Sequence, residues 1–278
     1  VFSPAPVDER LLAEAVAAAH AADYVVAVVG DTIALTGEGR STATLELQGG
    51  QAALLDALVA TGTPLVVVLV QGKPSTLPAS ALVAGAIVQA FNPGMRGGRA
   101  VAELVLGLVE PSGRLPVSVP RHVGQQPVYY NQVRGQHGDR YADLTQDPLF
   151  AFGEGLSYTS VEYRDLVVLD DVVPADGVVH AQVTLANTGA RPVVETVQVY
   201  VSDLVTSVTW AEKELKSWDQ VALSPGETLV VELELAAGAC TLVDADGRRV
   251  VEPGRFALLV GPSSRDRDLL RAEFEISG

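Results

Sequence analysis

Cysteine is almost missing. Cys240 is the one thiol in 278 residues, so no intrachain disulfide can staple the fold, and the residue reads as a small buried hydrophobe in a strand rather than a nucleophile. Basic residues are scarce too: 19 Lys and Arg face 34 Asp and Glu, a formal net charge of -15. That field repels phosphate backbones, which argues against a nucleic-acid partner and leaves neutral ligands as better matches. Apolar runs such as YVVAVVG and PLVVVLVQG fall well short of the roughly 20 residues a membrane helix needs, so they read as buried strands and no membrane partner is expected. The opening VFSPAPVDER has neither a basic n-region nor an apolar h-region, so no secretory signal is read there and the compartment stays open. Four histidines, His20, His122, His137 and His180, are scattered without ligand spacing, and no metal site is assigned. Neither a G-x-G-x-x-G turn nor a P-loop lysine motif occurs, so no cofactor is expected.

What is present falls into two halves with different periods. Up to about residue 120, helical patterns alternate with short continuous apolar strands, the signature of a parallel α/β sheet covered by helices. Helices are expected over Asp8–Ala22, with Asp8 as the cap, over about Gln48–Ala60, near Leu77–Leu82 and over about Gly97–Leu108; strands over Tyr24–Val29, Leu65–Val70 and Ala84–Phe91. Three such repeats leave long sheet edges open, which implies further sheet from elsewhere. From Val161 the helical period gives way to short alternating strands between turns, about seven of them, the arithmetic of an immunoglobulin-like or fibronectin type III-like sandwich. The expected organisation is therefore the C-terminal part of an α/β sandwich over 1–120, a connector over 121–160 rich in Gly, Pro, Gln and Tyr, and a β-sandwich over 161–278. So long a connector is expected to carry function.

The stretch TGEGRSTATLELQGG, Thr36 to Gly50, places a carboxylate, Glu38, between two glycines on a loop leaving a buried strand. Asp31 and Glu46 lie on the same loop, while Asp139, Asp143 and Glu154 lie in the connector. Asp31 is read as capping or orienting the loop, and Glu46, between two leucines, as facing solvent. NPGMRGGRA (Asn92–Ala100) follows a strand and opens a helix; its glycines can hold an anion, but tight strand-to-helix packing is the better account. In the connector, Tyr129, Tyr130, Asn131, Arg140 and Tyr141 supply the aromatic faces and hydrogen-bonding groups that sugar sites use, and packing between domains accounts for them equally well.

Taken in order, VVGD, TGEGRSTATLELQGGQAALLDALVATGTPLVVVLVQGKP, FNPGMRGGRAVAELVLGLVEPSGRLPVSVP, PVYYN, RYAD and PLFAFGEGLSYT closely resemble the C-terminal half of family 3 glycoside hydrolases, the β-glucosidase and β-xylosidase group. The tail, from NTGARPVVETVQVYV to GRFALLVGPSS, looks like the fibronectin type III-like domain that follows in many members. The resemblance implies an enzyme built from a barrel that carries a nucleophilic aspartate and a sandwich domain whose loop, commonly with a stretch like GEG, carries the acid/base glutamate. Carried over residue by residue, that role falls on Glu38. Members often have an acidic residue in place of Ser41, a proline for Gln48, GRP for Gly72-Lys73-Pro74, a tryptophan for Phe91 and FGYG for FGEG; these departures bear on substrate rather than on the acid/base. Nothing in the chain resembles the barrel or its nucleophile motif.

The resemblance thus implies the acid/base-bearing portion of a retaining, exo-acting β-glycosidase, its partners a β-glycoside or oligosaccharide substrate and a barrel domain on the parent polypeptide or another chain. Alone, this portion is expected to be inactive. Arg40, Tyr129, Tyr130, Arg140 and Tyr141 are the expected substrate-contacting residues, with Arg40 expected to point away from Glu38, since a guanidinium against the carboxyl would keep it ionised. Rivals stand beside this reading: a non-catalytic carbohydrate-binding or scaffold protein of the same fold, a transglycosylase using the same residues and, more distantly, a nucleotide-binding protein.

Overall fold

The computed structural model describes residues 5–40, 42–136, 138 and 140–278. Ser41, His137 and Asp139, weighed above, lie outside the described residues. The chain forms two compact units: residues 1–106 with 119–126, and residues 107–118 with 127–278. This division differs from boundaries at 120 and 160, because the connector is used as cover for the β-sandwich.

The first unit alternates α1 (Glu9–His20), β1 (Val25–Gly30), α2 (Gln51–Ala60), β2 (Leu65–Val70), α3 (Ala79–Leu82), β3 (Ala86–Gln89) and α4 (Gly97–Val105). Asp8 caps α1 as expected, its carboxylate accepting from the Arg10 and Leu11 amides. The strands form an all-parallel sheet in the order β1-β2-β3, with Ala27 opposite Val67 and Val68 opposite Val88. Several elements are shorter than expected, and for three of them a backbone angle gives the local reason. A turn with Gly49 at φ 70° delays α2, Gly107 at φ 67° ends α4 early, and Phe91 at φ 50° breaks the extended backbone after β3. Ala27, Val29, Val67 and Leu69 bury one side of the sheet against Leu55 and Leu58 of α2. The other side of β1 is bare, with Val26 39% and Val28 63% exposed, so the expectation of an incomplete sheet has a visible apolar stripe behind it.

At the carboxyl end of β1 the side-chain amide of Gln51, in the first turn of α2, grips Gly30 from both sides. It accepts from the Gly30 N–H at 2.6 Å and donates to the Gly30 carbonyl at 2.9 Å. Gly30 has to be glycine, since at φ 139° a Cβ would lie 2.0 Å from the Val70 carbonyl oxygen.

In the second unit, seven strands of eight or more residues match the expected count: β4 (Val161–Val168), β6 (Val178–Asn187), β7 (Val193–Asp203), β8 (Glu214–Leu223), β9 (Thr228–Ala236), β12 (Gly254–Gly261) and β13 (Leu270–Ser277). Short strands β5 (Val172–Pro174), β10 (Leu242–Val243) and β11 (Arg249–Val250) are added. Sheets of order β5-β13-β12-β7-β8 and β4-β6-β9 enclose a core of Val183, Leu185, Val197, Phe256, Leu258 and Ile276. Cys240 is buried, but just after the 3-10 turn Ala237–Ala239 rather than in a strand, and burial pushes its thiol up to about 11. Of the tryptophans, Trp218 is 61% exposed on β8, an edge strand, while Trp210 is half-buried and donates to Glu214.

β7 is buried on both faces because the connector lies over its outer side. Tyr130 stacks on Phe152 with centroids 4.1 Å apart and meets Tyr200 edge-on, and Gln198 donates to the Gly153 carbonyl. A buried ion pair fixes the earlier segment: Arg114 lies 2.8 Å from Glu195, which also accepts from the Tyr163 hydroxyl at 2.8 Å. Burial pushes the Glu195 carboxyl above the usual range, against the pull of the Arg114 charge and both hydrogen bonds, and it pushes the Tyr163 phenol far up.

Two stability outcomes follow. Gln51→Ala leaves both Gly30 groups short of a partner and is expected to cost about 1–3 kcal/mol, read as a lowered denaturation midpoint; an unchanged midpoint would show that water replaces the amide. Arg114→Met strands the Glu195 charge and is expected to cost about 3–5 kcal/mol at neutral pH. A carboxyl with a raised folded pKa contributes stability that is fully present below its unfolded pKa and lost as pH rises through the folded one. The Arg114→Met deficit should therefore shrink as pH falls toward the carboxylate range and Glu195 protonates; denaturant titrations at several pH values giving a constant deficit would refute this.

Candidate active site

Loops that leave the carboxyl ends of parallel strands are where α/β sheets place ligands, because the connections there are free of the crossover helices' packing. Three loops occupy that edge in the first unit: Asp31–Gly50 after β1, Gln71–Pro78 after β2 and Ala90–Arg96 after β3. They are tied to one another. Asp31 accepts from the Gly72 amide at 3.1 Å, Lys73 donates to the Thr42 hydroxyl, and the Gln71 amide donates to the Phe91 carbonyl at 3.1 Å. Below them, buried Gln71 joins Gln89 at 3.0 Å and Ser75 at 2.8 Å. Asp31 thus orients this edge as expected, though by tethering the second loop.

Glu38 sits at the tip of the first loop, exposed, with no hydrogen bond or ion pair among the described residues. Gly37 at φ 108° and Gly39 at φ 70° carry the backbone through the left-handed region on either side, and a Cβ on either would meet nothing within 4 Å. Their value is conformational: they let the tip turn and approach another molecule, rather than making room for a neighbour. Arg40 does point elsewhere, its guanidinium donating to the Ile33 carbonyl at 3.5 Å. Glu46 is exposed as expected and fixed by a backbone bridge to Thr76.

The chain's second GEG stretch has a different fate. Glu154, between Gly153 and Gly155, is half-buried, lies 2.7 Å from Arg265 and accepts from the Ala151 amide at 2.7 Å. A carboxylate held by a guanidinium and a backbone donor is committed to structure. Asp143 is exposed in the connector. At Asn92–Ala100 the packing account is supported, because a Cβ on Gly97 would lie 2.5 Å from the Pro93 ring.

The connector residues divide. Tyr130 is a packing residue: its ring stacks on Phe152, its hydroxyl accepts from the Leu215 amide at 3.1 Å, and burial raises its phenol. Tyr129 is 63% exposed, and both tyrosines line a cleft of about 320 Å³ in the second unit. Arg140 and Tyr141 do not line that cleft. Asn131 is exposed. Lys73 and Gln71 were not singled out from sequence as site builders. Their signal was the apolar strand β2 ending in Gln-Gly-Lys-Pro, a polar turn at the same sheet edge as Glu38.

Comparison with known proteins agrees with the residue-level resemblance. Residues 7–158 match the glycosyl hydrolase family 3 C-terminal domain, and residues 195–264 match the fibronectin type III-like domain. A periplasmic beta-glucosidase of Salmonella typhimurium is 36% identical over 266 residues, covering 92% of this chain and 35% of its own length. A beta-xylosidase of Formosa agariphila is 40% identical over 263 residues, covering 92% and 36%. Among solved structures, a beta-glucosidase involved in saponin metabolism from intestinal bacteria superposes with a TM-score of 0.93 at 54% identity, over 99% of this chain and 39% of that one. The chain spans about a third of the length of the curated relatives it matches. With an α/β sheet edge carrying the Glu38 loop, a following β-sandwich and these matches in hand, the chain belongs to glycoside hydrolase family 3, of which it is a C-terminal portion.

Proposed function

We propose that this chain supplies the general acid/base, Glu38, to a retaining β-glycosidase that removes terminal β-D-glucosyl or β-D-xylosyl residues. The supporting observation is the setting of Glu38: an exposed carboxylate, unpaired among the described residues, at the tip of a glycine-flanked loop on the carboxyl edge of the parallel sheet. A retaining glycosidase uses two carboxyl groups about 5–5.5 Å apart. One, ionised, attacks the anomeric carbon; the other, protonated, hands its proton to the leaving oxygen and then takes one from the water that releases the sugar. Glu38 suits the second role, since its loop can close on a sugar and the site can then hold the proton. Desolvation by the substrate and the negative charge of a nearby nucleophile both push such a carboxyl upward. In this reading the nucleophile is an aspartate on a barrel domain, in the same parent polypeptide or another chain, and these 278 residues do not turn over substrate alone.

The mutagenic test uses the polypeptide that joins this chain to its barrel. Glu38→Gln is expected to lower kcat/KM on alkyl β-glucosides or β-xylosides by roughly 10²–10⁴-fold. The loss should be much smaller on dinitrophenyl glycosides, whose leaving group needs no proton. Equal losses on both substrates would remove Glu38 from the proton-transfer role. Purified alone, the chain is expected to leave aryl β-glycosides intact; turnover that Glu38→Gln abolishes would mean that a second carboxylate within it completes the site.

A further inference from the structure

The second unit has a cleft lined entirely by its own residues. We propose that this cleft, lined by Tyr129, Tyr130, Gln132 and Glu212 among others, is a carbohydrate-binding site for a neutral sugar residue. Its volume, about 320 Å³, lies at the lower end of the range of roughly 300–1,000 Å³ for small-molecule clefts.

Charge narrows the ligand class. Asp147, Glu212 and Asp266 line the cleft together with Lys213, Arg265 and Arg267, so its formal charge sums to zero in a chain of net charge -15. A phosphate ester finds no net positive field there. Much of the charge is already matched internally: Lys213 pairs with Asp266, and Arg265 pairs with Glu154 while donating to the Leu149 carbonyl at 2.9 Å.

Three groups without such commitments remain at the edge. The connector runs antiparallel to residues 210–212, with Val133 bridged to Ala211, the Arg134 amide donating to the Trp210 carbonyl at 3.1 Å and the Glu212 amide to the Gln132 carbonyl at 2.7 Å. Gln132 and Glu212 therefore stand side by side on one face of this short ribbon, opposite to Val133 and Ala211. The Glu212 carboxylate, the Gln132 amide and the Tyr129 hydroxyl have no hydrogen-bond partner among the described residues. An acceptor, an amide that both donates and accepts, and an exposed aromatic face match a pyranose, whose hydroxyls do both and whose C–H face packs on rings. Below them Tyr130 is held by Phe152 and Leu215, which gives the site a floor needing no reordering on binding.

The choice of sugar as probe draws on family membership and on this lining, not on the role given to Glu38. Titration of the isotopically labelled chain with cellobiose and with xylobiose, followed by backbone amide NMR, is the test. Saturable shifts with at least one sugar are expected at 129–132 and 210–213, with a Kd in the millimolar range. Glu212→Ala and Tyr129→Ala should each weaken binding about tenfold, a loss of about 1.4 kcal/mol, while Glu38→Gln leaves it unchanged. Glucose 6-phosphate should bind no tighter than glucose. Shifts confined to 36–42 would overturn this inference while favouring the Glu38 reading. No saturable shift, binding that survives both substitutions, or tighter binding of the phosphate ester would each overturn it outright. The wild-type shift map does not depend on any variant folding, and Glu212→Gln, which keeps the side chain's size, repeats the test where Glu212→Ala does not fold.

Discussion

The position of Glu38 depends on how the end of β1 is held. A parallel strand must release its chain at the carboxyl edge, and a loop released without anchorage would sample too many positions to present one carboxyl group to a substrate. Gln51 removes that freedom at the root by gripping both polar groups of Gly30, and Asp31 removes more by holding the Gly72 amide. Further ties follow at Arg40, Thr42 and Glu46, and between the root and these ties lies a tip with glycine on both sides of Glu38. A held root and a glycine-flanked tip suit the proton-donor role proposed for Glu38, which would have to serve as acid and then as base.

The two GEG stretches show why a motif needs its surroundings. Both put a glutamate between glycines, yet Glu38 has no partner among the described residues while Glu154 is locked to Arg265. The residue that decides between them is more than a hundred positions away from Glu154 in the chain, so local sequence carries no trace of it. The same applies to Glu195, which is buried with Arg114 and Tyr163. Such partners arise from the connector folding over the outer face of β7, a packing event that periodicity cannot register.

What periodicity does register is burial by one's own sheet. The parallel strands, the Asp8 cap, the seven long sandwich strands and the solvent-facing Glu46 were legible because each follows from a local pattern of apolar spacing and turn residues. Element ends were less legible where one backbone angle decided them, as at Phe91, Gly49 and Gly107. Tyr129 and Tyr130 show the limit most clearly. Adjacent and chemically identical, they differ in burial, Tyr129 exposed at the cleft and Tyr130 stacked on Phe152, a difference set by the packing of Phe152 and Tyr200 rather than by any local pattern.

The division of residues between the compact units has a consequence for inheritance. The chain passes from one unit to the other after residues 106, 118 and 126, so no single break separates an intact first unit from an intact second. A recombination event joining this sandwich to a different α/β half would preserve both only if it brought the segments 107–118 and 127–160 along with the strands they cover. The sandwich is therefore not a freely exchangeable module, and lineages that gained or lost it would have had to rebuild its cover as well.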